Sequence, residues 1–98
     1  MQLSERQKKY LRRLGHALNP VVALGNNGLT DAVVAEMDRA LTDHELIKVR
    51  ARVGERDDRN TALDLLAERT SSALVQRIGN VGLFYRRNPQ LARVILPD

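Results

Sequence analysis

Between Leu3 and Leu18 the apolar residues recur every three or four positions, and Tyr10, Leu11, Leu14 and Leu18 fall on one helical face. Ser4 followed by Gln7 has the spacing of a capping box, so a first helix is expected from about Glu5 to Ala17. Asn19-Pro20 ends it, because proline disfavours helical geometry in the residue before it. Val21-Val22-Ala23-Leu24 is short, β-branched and apolar at every position, as in a strand buried on both faces, and it stops at Gly25. Thr30 can then cap a second helix, with Asp31 in its first turn complementing the dipole and Val33, Met37, Ala40 and Leu41 as its packing face. From Glu45 to Val53 the period changes to two. Ile47, Val49, Ala51 and Val53 alternate with Lys48, Arg50 and Arg52, which predicts a strand with one buried face and one basic face. After a charged turn at Gly54, Asp57 or Asp58 can cap a third helix carrying Leu63, Leu66, Ala67 and Thr70 on one stripe. Leu74 to Ile78 and Val81 to Arg86 read as a hairpin around Gly79-Asn80, two residues that tolerate positive φ. In the tail, Val94-Ile95-Leu96 either adds a short edge strand or covers the core.

The expected order is α-β-α-β-α-β-β, an α/β fold whose sheet is mixed, parallel where helices cross over and antiparallel at the final hairpin, with the helices packed on it. A length of 98 residues and 43% hydrophobic content suit a single compact domain spanning 1–98, with no internal repeat. Cysteine is absent and only two histidines occur, which disfavours disulfides and metal sites, and no cofactor is implied. No apolar run approaches the roughly 20 residues of a membrane span, and the N-terminus lacks the apolar core of a secretory signal, so no membrane association is expected and the cytoplasm is the expected location.

Charge alters this picture through its distribution. The net charge is only +4, yet Arg6, Lys8, Lys9, Arg12 and Arg13 follow one another without an acid. Asp31 to Glu45 then holds Asp31, Glu36, Asp38, Asp43 and Glu45 against Arg39, and the last third carries Arg77, Arg86, Arg87 and Arg93 unopposed until Asp98. Such segregation gathers a polyanion on one side, although a solvated basic face has the same signature. The stretch Gly25-Asn26-Asn27-Gly28, between a strand and a helix start, allows close backbone approach to an anion and places helical amides nearby. A tight turn needing positive φ uses the same residues. The stretch has neither the lysine and hydroxyl of a nucleotide P-loop nor a dinucleotide glycine pattern. A GXXG loop does clamp single-stranded RNA in KH domains, where it joins two helices.

The run LRRLGHALNPVVALGNNGLTDAVVAEMDRALTDHELIKVR resembles the CRM domain, and nearly the whole chain is similar to its stand-alone bacterial form, the YhbY-like proteins. The resemblance implies a fold similar to the C-terminal domain of translation initiation factor three. It also implies RNA binding, with ribosomal RNA in precursors of the large ribosomal subunit as the partner, and a role in ribosome assembly. By position it places the family's loop on Gly25, Asn26, Asn27 and Gly28, its basic helix pattern on Lys8, Arg12 and His16, and a further contact on Lys48. With the neighbouring Lys9 and Arg13, these form the expected RNA-binding set. Two positions depart from the family pattern. Asn19 replaces a lysine, removing a charge expected close to the loop, and Gly15 replaces an alanine, which should soften the helix end by up to about 1 kcal/mol.

His16 can contact RNA or bond a free carbonyl at the helix end, while His44 reads as structural and Tyr10 as core. Phe84 and Tyr85 alternate along a strand, so only one is expected to point inward and the other could stack a base. Aromatics make up only 3% of the chain, which argues against an aromatic platform. Asp57, Asp58 and Asp64 surround a helix start rather than form a catalytic group, and no nucleophile stands in a recognisable pattern, so a monomeric binding protein is expected rather than an enzyme. The alternative is a protein-interaction adaptor using the acidic second helix.

Overall fold

The computed structural model describes residues 2–25, 27–90 and 92–98. Its elements are α1 (Glu5–Gly15), β1 (Pro20–Leu24), α2 (Asp31–His44), β2 (Leu46–Ala51), α3 (Arg56–Thr70), β3 (Ala73–Ile78) and β4 (Val81–Tyr85), in the expected order. The sheet runs β1-β2-β4-β3. β1 and β2 are parallel, and β4 lies antiparallel between β2 and β3, so each helical crossover joins parallel strands.

Local chemistry sets the helix starts. Ser4 and Gln7 form the reciprocal capping box, and the Thr30 hydroxyl accepts from the Val33 amide at 3.2 Å. At α3 the expectation shifts: Glu55 is the cap, and Asp58, three residues on, accepts from the Glu55 amide at 3.3 Å. The first helix stops at Gly15, two residues earlier than expected, and β2 is shorter at both ends than Glu45–Val53. In the β3–β4 turn only Gly79 takes positive φ, at +58°; Asn80 does not, and its carbonyl accepts from the Ala51 amide at 2.7 Å.

Both faces of the sheet are covered, unequally. α2 and α3 pack on one face over Val22, Leu24, Ile47, Val49, Ala51 and Phe84, joined by Met37, Leu41, Leu63 and Leu66 from the helices. On the other face, α1 contributes Leu11 to a smaller cluster with Leu46, Val75, Leu83 and Tyr85, closed by Leu3, Leu18, Val94 and Leu96. The segment Val94-Ile95-Leu96 is therefore a cover and adds no strand. This second layer corrects three expectations. Phe84 and Tyr85 are both buried, one against each layer, and neither can stack a base. Leu14 lies largely outside the packing face and Tyr10 is only half-buried; Gly15 is buried in their stead. β1 is an edge strand, with Val21 half-exposed on the face that α1 leaves bare.

Gly15 has a packing reason. A Cβ there would stand 2.7 Å from Leu83 Cδ2, so the glycine lets the end of α1 close down on β4. The cost in helix propensity thus accompanies a close helix–sheet approach.

Glu45 departs furthest from its expected role as one acid among five. It ends α2 with φ of +63°, is fully buried, and turns its carboxylate to the backbone amides of Asn88, Arg93 and Val94. Burial pushes this carboxyl upward, but the three amides and the nearby Arg87 guanidinium outweigh it, holding it below the ordinary glutamate value. The Tyr85 hydroxyl is pushed up by its own burial and then by the Glu45 carboxylate. One side chain thereby anchors the segment that covers the second cluster, and the Gln7 amide group fastens its end by donating to the Pro97 carbonyl at 3.0 Å.

Candidate nucleic-acid interface

α1 covers only one end of its face of the sheet. Leu46 and Tyr85, paired across β2 and β4, lie beneath it, while the next rows emerge from its C-terminal end. Register places Pro20, Lys48, Leu83 and Gln76 in one row and Ala23, Arg50, Val81 and Ile78 in the next. These rows floor a concavity of about 370 Å³, walled by His16, Leu18 and Asn19 from the end of α1 and the segment after it. A second, shallower concavity adjoins it, sharing His16 and Gln76 and bounded by Lys9, Arg12 and Arg13. The helix contributes at spacings of three, four and seven, so Lys9, Arg12, Arg13 and His16 lie on one face by the geometry of an α-helix.

Among the described residues, no acid lines either concavity. Among the described residues, Lys9, Arg12, Arg13, Lys48 and Arg50 have no ion pair, and the His16 imidazole has no hydrogen-bond partner. The opposite layer differs. Arg69 pairs with Asp31 at 2.9 Å, Arg86 with Asp38 at 2.7 Å, and Arg77 with Asp64. Arg86 also donates to the carbonyls of Thr70 and Asp38 and to the Thr42 hydroxyl, tying the end of β4 to both helices of that layer. The last third is therefore not the unopposed basic segment that its sequence suggests. With Asp31 and Asp38 neutralised and Glu45 buried, the acidic surface behind the adaptor alternative reduces to Glu36 and Asp43.

The GNNG loop stands at the uncovered end of the sheet. Gly28 takes φ of +67° and its amide donates to the Gly25 carbonyl at 3.0 Å, closing a turn. Gly25 has ordinary φ and open space where a Cβ would stand, so among the described residues of the loop the positive-φ requirement falls on Gly28. Asn27 is exposed; Asn26 lies outside the described residues. Arg52, whose amide donates to the Leu24 carbonyl at 2.9 Å, is exposed beside the loop and continues the alternation of Lys48 and Arg50. Arg50, Arg52 and Gln76 are thus additions to the expected set. The first two were visible as the polar half of a period-two strand, whereas Gln76 joins the site only through a register shift in β3 that no pattern announced.

Two expected positions sit elsewhere. Lys8 pairs with Glu5 at 3.6 Å and lines a different groove beside Ala73 and Leu74. Asn19 is not near the loop, because the five residues of β1 separate them by roughly 16 Å. It lines the sheet-floored concavity beside His16.

Residues 3–86 match the CRS1/YhbY (CRM) domain, which takes in every element of the sheet and all three helices. The chain belongs to that family. This CRM domain is 51% identical over 90 residues to a probable RNA-binding protein of Pseudomonas aeruginosa, covering 92% of this chain and 86% of the relative. It is 43% identical over 95 residues to an RNA-binding protein of Haemophilus influenzae, covering 97% and 95%. Its fold matches the solution structure of a hypothetical protein from Staphylococcus aureus with a TM-score of 0.84 and 34% identity, over 98% of this chain and 100% of that one. Among the described residues of this CRM domain, no helix is long and apolar enough to cross a membrane, and no group of three or more His, Cys, Asp or Glu side chains could hold a metal ion.

Proposed function

We propose that this CRM domain binds structured ribosomal RNA in precursors of the large ribosomal subunit and serves there as a cytoplasmic, monomeric assembly factor without catalysis. RNA approaches along Lys9, Arg12, Arg13 and His16 and crosses Lys48 and Arg50 toward Arg52 and the GNNG loop. The observation that carries this reading is a run of cations that, among the described residues, have no ion pair and line two adjoining concavities without a competing acid. Elsewhere Arg69, Arg77 and Arg86 are paired with acids. Phosphate contacts supply most of the affinity in such an arrangement, with counterion release as the driving term. The relatives named as RNA-binding proteins support the polymer class.

Crosslinking the chain to RNA in cells and mapping the reads tests this directly. Enrichment of large-subunit ribosomal RNA, with sedimentation of the protein on precursor particles at low salt, is the expected result. Reads without ribosomal enrichment, or protein found only at the top of the gradient, would remove the assembly role.

The loop is tested separately by Asn27→Asp, a nearly isosteric change at an exposed position. A new negative charge beside a docked phosphate should weaken RNA binding by about fivefold, equivalent to about 1 kcal/mol at partial screening, with the melting temperature unchanged. Unchanged affinity at matched low salt would restrict the contact surface to α1 and the sheet.

A further inference from the structure

We propose that the more enclosed concavity, floored by the sheet, takes one unpaired nucleobase of the bound RNA, holding it on an aliphatic floor rather than on an aromatic platform. The proposal rests on the RNA-binding reading above and adds what that surface recognises. A purely electrostatic surface needs only cations facing water, and the shallower concavity beside Lys9, Arg12 and Arg13 fits that description. The more enclosed one is built differently. Its floor includes Ile78, an isoleucine left 61% exposed among charged neighbours, with Pro20, Val81 and Leu83 lining the same space. Gln76 and Asn19 supply amides with both donors and acceptors, and His16 adds a ring nitrogen on the same rim. Lys48 and Arg50 also line it, where they can hold the flanking phosphates.

These features together match a nucleotide and no simpler anion. A free phosphate has no use for Ile78 or Val81, and an apolar peptide would meet Lys48 and Arg50 without an acid to balance them. The volume of about 370 Å³ lies at the small end for ligand pockets, large enough for a planar ring with its sugar. A base inside a duplex presents its faces to its neighbours and cannot enter, so the occupant is a nucleotide in a loop, bulge or single strand. Because Phe84 and Tyr85 are sealed beneath the two helical layers, apolar contact with the base falls to aliphatic side chains.

The test uses the whole chain and two fluorescent probes of about 12 nucleotides, a single-stranded RNA of mixed sequence and an abasic ribose-phosphate strand of the same length. The wild-type protein is expected to prefer the base-bearing strand by about fivefold, and Ile78→Ser and Gln76→Ala should each remove most of that preference. Ile78→Ser removes no cation, so its abasic binding and salt dependence should stay as in the wild type, and exposure of Ile78 keeps the melting temperature in place. Equal wild-type affinity for the two strands, or parallel losses for both probes in Ile78→Ser, would overturn the base pocket. Total ribosomal RNA serves as the reference ligand. If it binds while the short strands bind alike or not at all, the pocket fails and the RNA-binding reading stands; if ribosomal RNA is itself unbound at low salt, both fail.

Discussion

Replacing Lys9, Arg12 and Arg13 together with glutamine is expected to lower RNA affinity at least about tenfold near 50 mM salt, or roughly 1.4 kcal/mol, and to flatten the salt dependence by about two to three units. The three side chains bound one concavity, carry no ion pair among the described residues, and face away from Leu11, whose burial holds α1 to the sheet. A phosphate that no cation neutralises keeps its condensed counterions, so the slope falls with the affinity. The fold should survive. Arg12 and Arg13 lie in the last turn of α1, where a cation complements the dipole, so a loss of up to about 1 kcal/mol of stability is expected and no more. Titration of binding against salt, from about 50 to 200 mM, reads both quantities. An unchanged slope would show that these cations are merely solvated, whereas weakening confined to one RNA sequence would show that they read bases.

The largest stability effect is expected at Glu45. Glu45→Ala leaves the amides of Asn88, Arg93 and Val94 without their carboxylate and loosens the segment whose Val94 and Leu96 close the second cluster. Hydrogen bonds to a charged group contribute about 1.5–3 kcal/mol each, and because three share one acceptor their loss should total about 3–5 kcal/mol, a large part of a small domain's stability. Glu45→Gln keeps the shape and one acceptor oxygen and should lose less. The same carboxylate makes stability depend on pH. Its folded pKa lies below the ordinary value of about 4.5, so the unfolded chain takes up the proton more readily than the folded one. The stabilisation is complete above that ordinary value and is lost as the pH falls through it toward the folded value. Denaturant melts at stepwise lower pH should therefore show wild-type stability declining below about 4.5 more steeply than that of Glu45→Gln. Parallel curves for the two proteins would mean that Glu45 is not the group responsible.

Legibility in the sequence followed the range of the interaction. Capping at Ser4 and Thr30, the alternation in β2 and the stripe Leu63, Leu66 and Thr70 each involve residues within a turn or two of one another, and all appear where expected. The basic strip on α1 was equally readable. Its continuation across the sheet was only half so, because Lys48, Arg50 and Arg52 could be seen to share a face but nothing local said whether a helix covered it.

Sequence by itself determined the order of the elements, the α/β class and the mixed sheet, since helical and strand periodicity are written in neighbouring residues and βαβ connections have a fixed preference for parallel pairing. Only the tertiary structure decided which charges remain available. Arg69, Arg77 and Arg86 meet Asp31, Asp64 and Asp38 across separations of 38, 13 and 48 residues, and no periodicity spans such distances. It likewise decided that Glu45 is an internal anchor and that Phe84 and Tyr85 are both hidden, because each outcome depends on a second layer brought by α1 and the chain after β4. That layer closes over Leu83 but leaves Lys48, Gln76, Arg50 and Ile78 beyond its margin. The physical reason is reach: at 1.5 Å per residue, the 11 residues of α1 cover roughly 16 Å of sheet, and the strip beyond its end is left to solvent.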